Sequence, residues 1–289
     1  MPARSHLPWF LGVALAASTL AGCRNDSIAI TACEVPPDGP PAVPMVFVFA
    51  GESNSGGLAS NAEATAEELA ARPSVQIMNL YSGTFDFEDL HIGFNNLVDH
   101  AGISDNPEYV PAPPNDILVH GMELGLANAV EAGAFGRRCS VYLVKTGQGG
   151  SSIEEWDAAG PYWAKFLQRT DAAKDRVPAN TRWIVWYSQG INDTVYGVPR
   201  PNWKAATVEH LAKIRAQLPG CQIILTEFQS MPKDDGYPQL NAAIRGLVAA
   251  DPTLSSVATD GAGTDGAIHW SYAGFRDVVV PAMVAATRL

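Results

Sequence analysis

Met45-Val46-Phe47-Val48-Phe49-Ala50-Gly51-Glu52-Ser53-Asn54-Ser55-Gly56-Gly57 is the stretch that decides the fold. Its first six residues are apolar, several of them β-branched or aromatic, and the run stops at a Gly-Ser turn. That pattern reads as a buried strand delivering a serine to its carboxyl end. In open α/β sheets ligands bind at that edge. Glycines there let backbone N–H groups approach a reacting carbonyl, which makes Ser53 a candidate nucleophile. Ser-Asn-Gly clusters also form ordinary turns, so the reading needs a partner base elsewhere in the chain.

Outward from that stretch, strand-like runs recur at Val75–Tyr81, Ser140–Lys145, Arg182–Ser188 and Gln222–Phe228. Helix-like segments alternate with them at Met122–Ala132, Tyr162–Lys174, Lys204–Gln217 and Gln239–Ala249, and Tyr272–Thr287 closes the chain. Strands alternating with helices imply a parallel sheet covered on both faces. Residues 82–118 show no clear periodicity, and a loop of that length is usually functional, so it is a candidate cover for the site. The domain is expected over residues 45–289. The Pro-rich segment 23–44 before it reads as a stiff linker.

The chain has 289 residues, 47% hydrophobic and 17% charged, enough for a full core in one α/β domain. Its net charge of −11 argues against nucleic acid or an anionic bilayer as the main partner. Arg4 and His6 precede an apolar run, Leu7–Ala21, too short and Ala-rich for a membrane span. Residues 1–22 therefore read as a signal peptide. Leu20-Ala21-Gly22-Cys23 resembles the lipobox of bacterial lipoproteins, with Cys23 as the lipidated residue; an ordinary cleaved signal is the alternative. Both readings place the protein outside the cytoplasm. Arg24 stands where an inner-membrane retention signal would have Asp, which favours the outer membrane or periplasm, with a lipid anchor as the only membrane attachment. Cys33, Cys139 and Cys221 remain, an odd number whose pairing is open. No cysteine sits with histidines at metal-ligand spacing, and no metal or other cofactor is expected.

Three further segments lie just after strand-like runs or just before the last helix. They are Thr146-Gly147-Gln148-Gly149-Gly150-Ser151-Ser152, Gln189-Gly190-Ile191-Asn192-Asp193 and Asp265-Gly266-Ala267-Ile268-His269-Trp270. The carboxyl ends of neighbouring strands converge in such a sheet, so these loops can meet above Ser53. Their residue types suit acyl transfer. His269 is the candidate base for Ser53, and Asp265 the nearest carboxylate to hold its tautomer. The N–H groups of Ser53 and Gly150 and the side-chain amide of Asn192 are candidate oxyanion donors. Gln189 and Glu52 are candidate substrate contacts. Asn192-Asp193 is also the composition of a plain turn, and Trp156, Trp186 and Trp270 suit either sugar stacking or the core.

The order Gly-x-Ser-Asn, Gly-Gly, Gly-x-Asn-Asp and Asp…His resembles the four blocks of SGNH hydrolases. More narrowly it resembles the sialate O-acetylesterase and acetylxylan esterase branch, carbohydrate esterase family six. Gly149-Gly150-Ser151-Ser152-Ile153-Glu154-Glu155-Trp156 follows that branch's Gly-Gly-Thr-x-Ile-x-x-Trp block, Trp186-Tyr187-Ser188-Gln189-Gly190 its Trp-x-x-Gln-Gly block, and Gly121-Met122-Glu123-Leu124 its Gly-Pro-Glu block. The resemblance covers roughly residues 45–289. It implies a three-layer α/β/α, flavodoxin-like domain and metal-independent deacetylation of sugar esters, with an acetylated carbohydrate as substrate. The departures are Glu52 for Gln, Ile191 for Glu in Gln-Gly-Glu, and Asp265 four residues before His269 rather than three. The extra residue is absorbed as a bulge, or Asp265 misses and His269 works in a dyad or through another acid such as Asp260. A non-catalytic glycan-binding lipoprotein on the same fold is the rival these departures keep open. An α/β-hydrolase lipase fits less well, since its elbow needs glycine where Ser55 stands.

Overall fold

The computed structural model describes residues 43–81, 83–97, 99, 117–136, 140–195, 200–229, 236–265 and 268–288. The signal segment, most of the linker, most of the long loop, Cys33 and Cys139 lie outside the described residues. The strands are β1 (Met45–Gly51), β2 (Ala59–Ser60), β3 (Arg72–Met78), β4 (Phe87–Leu90), β5 (Val119–His120), β6 (Val141–Lys145), β7 (Arg182–Ser188), β8 (Gln222–Thr226) and β9 (Leu254–Val257). The helices are α1 (Ser53–Gly56), α2 (Ala66–Leu69), α3 (Met122–Glu131), α4 (Trp163–Lys174), α5 (Ile191–Val195), α6 (Arg200–Gln217), α7 (Gly236–Ala250), α8 (Tyr272–Gly274) and α9 (Val280–Ala286).

Seven strands form one sheet in the order β4-β3-β6-β1-β7-β8-β9. Every pairing is parallel except β3 with β4. Taken alone, β6-β1-β7-β8-β9 run in the flavodoxin-like order 2-1-3-4-5, and the chain changes direction across the sheet at β1. The result is a three-layer α/β/α domain. All seven residues of β1 are buried, as a strand covered on both faces requires. Trp186 of β7 anchors the layer beside it, stacked on Phe49 at 5.2 Å and edge-on to Phe47 at 5.1 Å.

The sequence-read helices appear close to their expected bounds, but the last is not one regular helix. Its middle, Phe275–Val279, is a π-turn. Pro281 follows and has no N–H to donate back, which favours such a local widening. The segment read as a long loop, 82–118, supplies β4, and β5 follows directly after it. The latter pairs antiparallel with β2 through Ala59 and His120. A buried ion pair, Lys145 Nζ to Glu123 Oε1 at 3.0 Å, ties the end of β6 to the start of α3. Asn96 and the Gly121 N–H donate to the same oxygen, each at 3.0 Å. Burial pushes the Glu123 carboxyl up, but Lys145 and Asn96 outweigh it and hold the group below the usual range.

Candidate active site

The chain leaves β1 through a turn that only glycine can make. Gly51 has φ +117°, and a Cβ there would lie 1.9 Å from the Ser188 carbonyl oxygen. Glu52 N–H then donates to that carbonyl at 2.7 Å, and Ser53 opens α1 with 2% of its surface exposed. The loop after β6 lies alongside, with Gln148 N–H bonded to Gly51 O at 2.9 Å. A side chain at Gly147 would strike Ser55 Oγ at 2.0 Å, so the loop packs directly on α1. Gly150 follows at φ +76°, a left-handed position that favours glycine.

The loop after β7 enters from the other side of β1. Glu52 joins it to the serine turn. Its side chain is wholly buried, and its carboxylate accepts the Ile191 N–H at 2.7 Å, the Asn192 N–H at 3.0 Å and a close bond from Asn192 Nδ2. Burial pushes this carboxyl up to about 8, and the Asp193 charge adds to the rise against the backbone hydrogen bonds. The two positions that depart from the family pattern, 52 and 191, meet at this contact. The second hydrogen of Asn192 Nδ2 faces the Ser151 carbonyl at 3.3 Å. Gln189 donates to Asp193 at 2.9 Å and to Ser151 O at 3.2 Å, and Asp193 also accepts the Ile153 N–H at 2.9 Å. Gln189 and Asp193 thus bind the two loops together.

The fourth loop brings the acid and the base. Asp265 N–H donates to His269 O at 3.0 Å, and Thr264 pairs with Trp270 in an antiparallel bridge. The four-residue spacing therefore closes as a tight hairpin, and Asp265 Oδ2 lies 3.2 Å from His269 Nδ1. Asp260 stands exposed in the turn before it. Burial lowers the affinity of His269 for a proton below the ordinary histidine value, with Asp265 opposing that shift. The imidazole is consequently neutral near pH 7, as a base must be.

Asn54, a residue the motif reading quoted without a role, joins serine and histidine. Its side chain accepts the Trp270 N–H at 3.1 Å and donates to the Ile268 carbonyl at 3.1 Å, gripping the backbone on both sides of His269. The Trp270 indole is itself fixed by Gln229 Oε1 at 2.6 Å and is wholly buried, as are Trp156 and Trp186. All three tryptophans are core residues here. Among the described residues no cluster of three His, Cys, Asp or Glu side chains could hold a metal ion.

A sheet in this order, with a serine at the end of its central strand and an acid-paired histidine before the last helix, defines an α/β/α hydrolase of the SGNH class. The chain belongs to the carbohydrate esterase, sialic acid-specific acetylesterase family, whose model matches residues 43–279. It is a carboxylic ester hydrolase. No curated protein matches it in sequence. Among solved structures it is similar to a protein from Arabidopsis thaliana, at 16% identity and TM-score 0.60, over 86% of this chain and 99% of that one. NanS is similar at 16% identity and TM-score 0.56, over 86% and 97% of the two chains. A carbohydrate acetylesterase from Xanthomonas citri is similar at 14% identity and TM-score 0.53, over 84% of this chain and 55% of that one. At these identities the likeness is one of fold.

Proposed function

We propose that the protein removes acetyl groups from carbohydrate esters through an acyl-enzyme on Ser53. His269 takes the Ser53 proton as the hydroxyl attacks the acetyl carbonyl, then returns it to the departing sugar oxygen. Water, activated by the same imidazole, frees acetate. Asp265 bonds Nδ1 and so leaves Nε2 for the serine. The N–H groups of Ser53 and Gly150 and the Asn192 amide receive the oxyanion. The observation that carries this reading is the Asn54 grip, which holds the histidine loop against the residue next to the nucleophile. Acetylated sugars as substrate accord with the family and with the Xanthomonas citri acetylesterase. Acetate release from acetylated xylan, acetylated sialic acid and a chromogenic acetate ester tests the activity, with Ser53→Ala as the control. Undiminished turnover by a folded Ser53→Ala protein would refute it.

The N-terminal segment is proposed to export the chain and to carry lipid on Cys23. Labelled palmitate should enter the wild-type chain and not a Cys23→Ser variant.

A further inference from the structure

We propose that Glu52 is a positioning residue of the oxyanion hole: its carboxylate holds the Asn192 side-chain amide so that one hydrogen is locked and the other is presented to the oxyanion. The proposal rests on the serine esterase reading above. Glu52 is 0% exposed, directly precedes Ser53 in the chain, and reaches across to the first turn of α5. Two backbone N–H groups fix its carboxylate, and that carboxylate fixes one hydrogen of Asn192 Nδ2. The remaining hydrogen meets only the Ser151 carbonyl, at 3.3 Å, beyond the usual range of a good N–H···O bond. That weak contact is the one a developing oxyanion displaces at little cost. Without the carboxylate the amide keeps only that weak contact, and the donor must be ordered during each turnover.

The geometry also fixes the working charge state. Oε2 accepts both N–H groups of Asn192 and Oε1 the Ile191 N–H, so a proton on Oε2 would displace an Asn192 donor and one on Oε1 would weaken Oε2 as an acceptor. The ionised form is the one that grips Asn192. Burial opposes it, and so does Asp193 on α5. Tyr187 on β7 also faces the carboxyl, but burial pushes its phenol well above its ordinary value and keeps it neutral. The grip should therefore tighten as pH rises through about 8.

The test measures kcat and KM for a chromogenic acetate ester across about pH 5.5–9, in wild type, Glu52→Gln, Asn192→Ala and the double variant. Glutamine keeps the shape but turns an N–H toward the donors. We expect kcat to fall by about 10–10²-fold with KM nearly unchanged, and the double variant to match Asn192→Ala alone. Wild-type kcat should show a rising limb near pH 8 that is absent from both single variants. Additive losses, a wild-type kcat in Glu52→Gln, or a limb that persists in Asn192→Ala would overturn the proposal. Should Glu52→Gln fail to fold, the wild-type and Asn192→Ala profiles decide alone. An active Ser53→Ala protein would sink the esterase reading. An inactive Ser53→Ala with a normal Glu52→Gln would sink only the role of Glu52.

Discussion

Replacing Asn54 with alanine should cut the tie between nucleophile and base. The side chain makes two bonds to backbone 214 and 216 positions away, both at 3.1 Å. Ile268 is half-buried and its carbonyl can turn toward water, so that bond is worth about 1 kcal/mol net. Trp270 is wholly buried, and its N–H would lose its partner at a cost of about 1–3 kcal/mol. The expected loss of stability is therefore about 2–4 kcal/mol. A domain of this size shifts its melting midpoint by about 2–4 °C per kcal/mol, so thermal denaturation should show a drop of roughly 4–16 °C. Activity should suffer for a separate reason. A shift of about 1 Å in His269 relative to Ser53 costs on the order of 10²-fold in kcat, with little change in KM. Both parameters are to be measured well below the new midpoint, on folded protein. A lowered midpoint with wild-type kcat would refute the argument, because the Asp265–His269 hairpin would then be holding the base unaided.

Asp265→Asn should lower kcat by about 10²–10³-fold, less than for a buried triad acid, because the Asp265 side chain is 40% exposed and water can partly replace it. Since Asp265 raises the proton affinity of His269 against burial, its loss should move the acid limb of kcat/KM to lower pH; an upward shift would contradict the pairing. Lys145→Met leaves Glu123 as an unpaired buried charge and should cost about 3–5 kcal/mol in urea unfolding, most of it recovered by adding Glu123→Leu. A loss below about 1 kcal/mol in the single variant would contradict that account. Glu52 titrates at about 8 in the folded protein against 4.5 ordinarily, so the native state keeps a proton the unfolded chain has released. Its contribution to stability is full below about 4.5 and is lost as pH rises through 8, with a slope of at most ~1.4 kcal/mol per pH unit. Urea unfolding across that window should show the decline in wild type and a flatter curve in Glu52→Gln.

The parts of the fold legible in the sequence are those whose burial leaves a local pattern. β1, β6 and β7 lie in the middle of the sheet and read as unbroken apolar runs, so Ser53 and the loops after them could be placed. β9 could not, because Leu254-Ser255-Ser256-Val257 is an edge strand buried only at its two ends. β4 carries Glu88 and Asp89 at its centre for the same reason: it lies at the opposite edge. The site divides along a similar line. Spacing alone left two choices for the acid of His269, since a four-residue interval is compatible with a bulge or a miss. The Asp265 N–H to His269 O bond and the Thr264–Trp270 bridge make that interval a hairpin, a property of the backbone rather than of residue type. Asn54 and Glu52 were hidden for a stronger reason. Each stands beside the nucleophile in sequence yet acts on backbone groups some 140 to 216 positions away. A side-chain bond to a distant N–H or carbonyl asks nothing of the residue type at the far end, so no pairing of motifs could reveal it. Read beside Ser53 alone, Glu52 is a candidate substrate contact. Set against α5, it is the acceptor of the Ile191 and Asn192 N–H groups, and the two positions that depart from the family pattern meet in one contact.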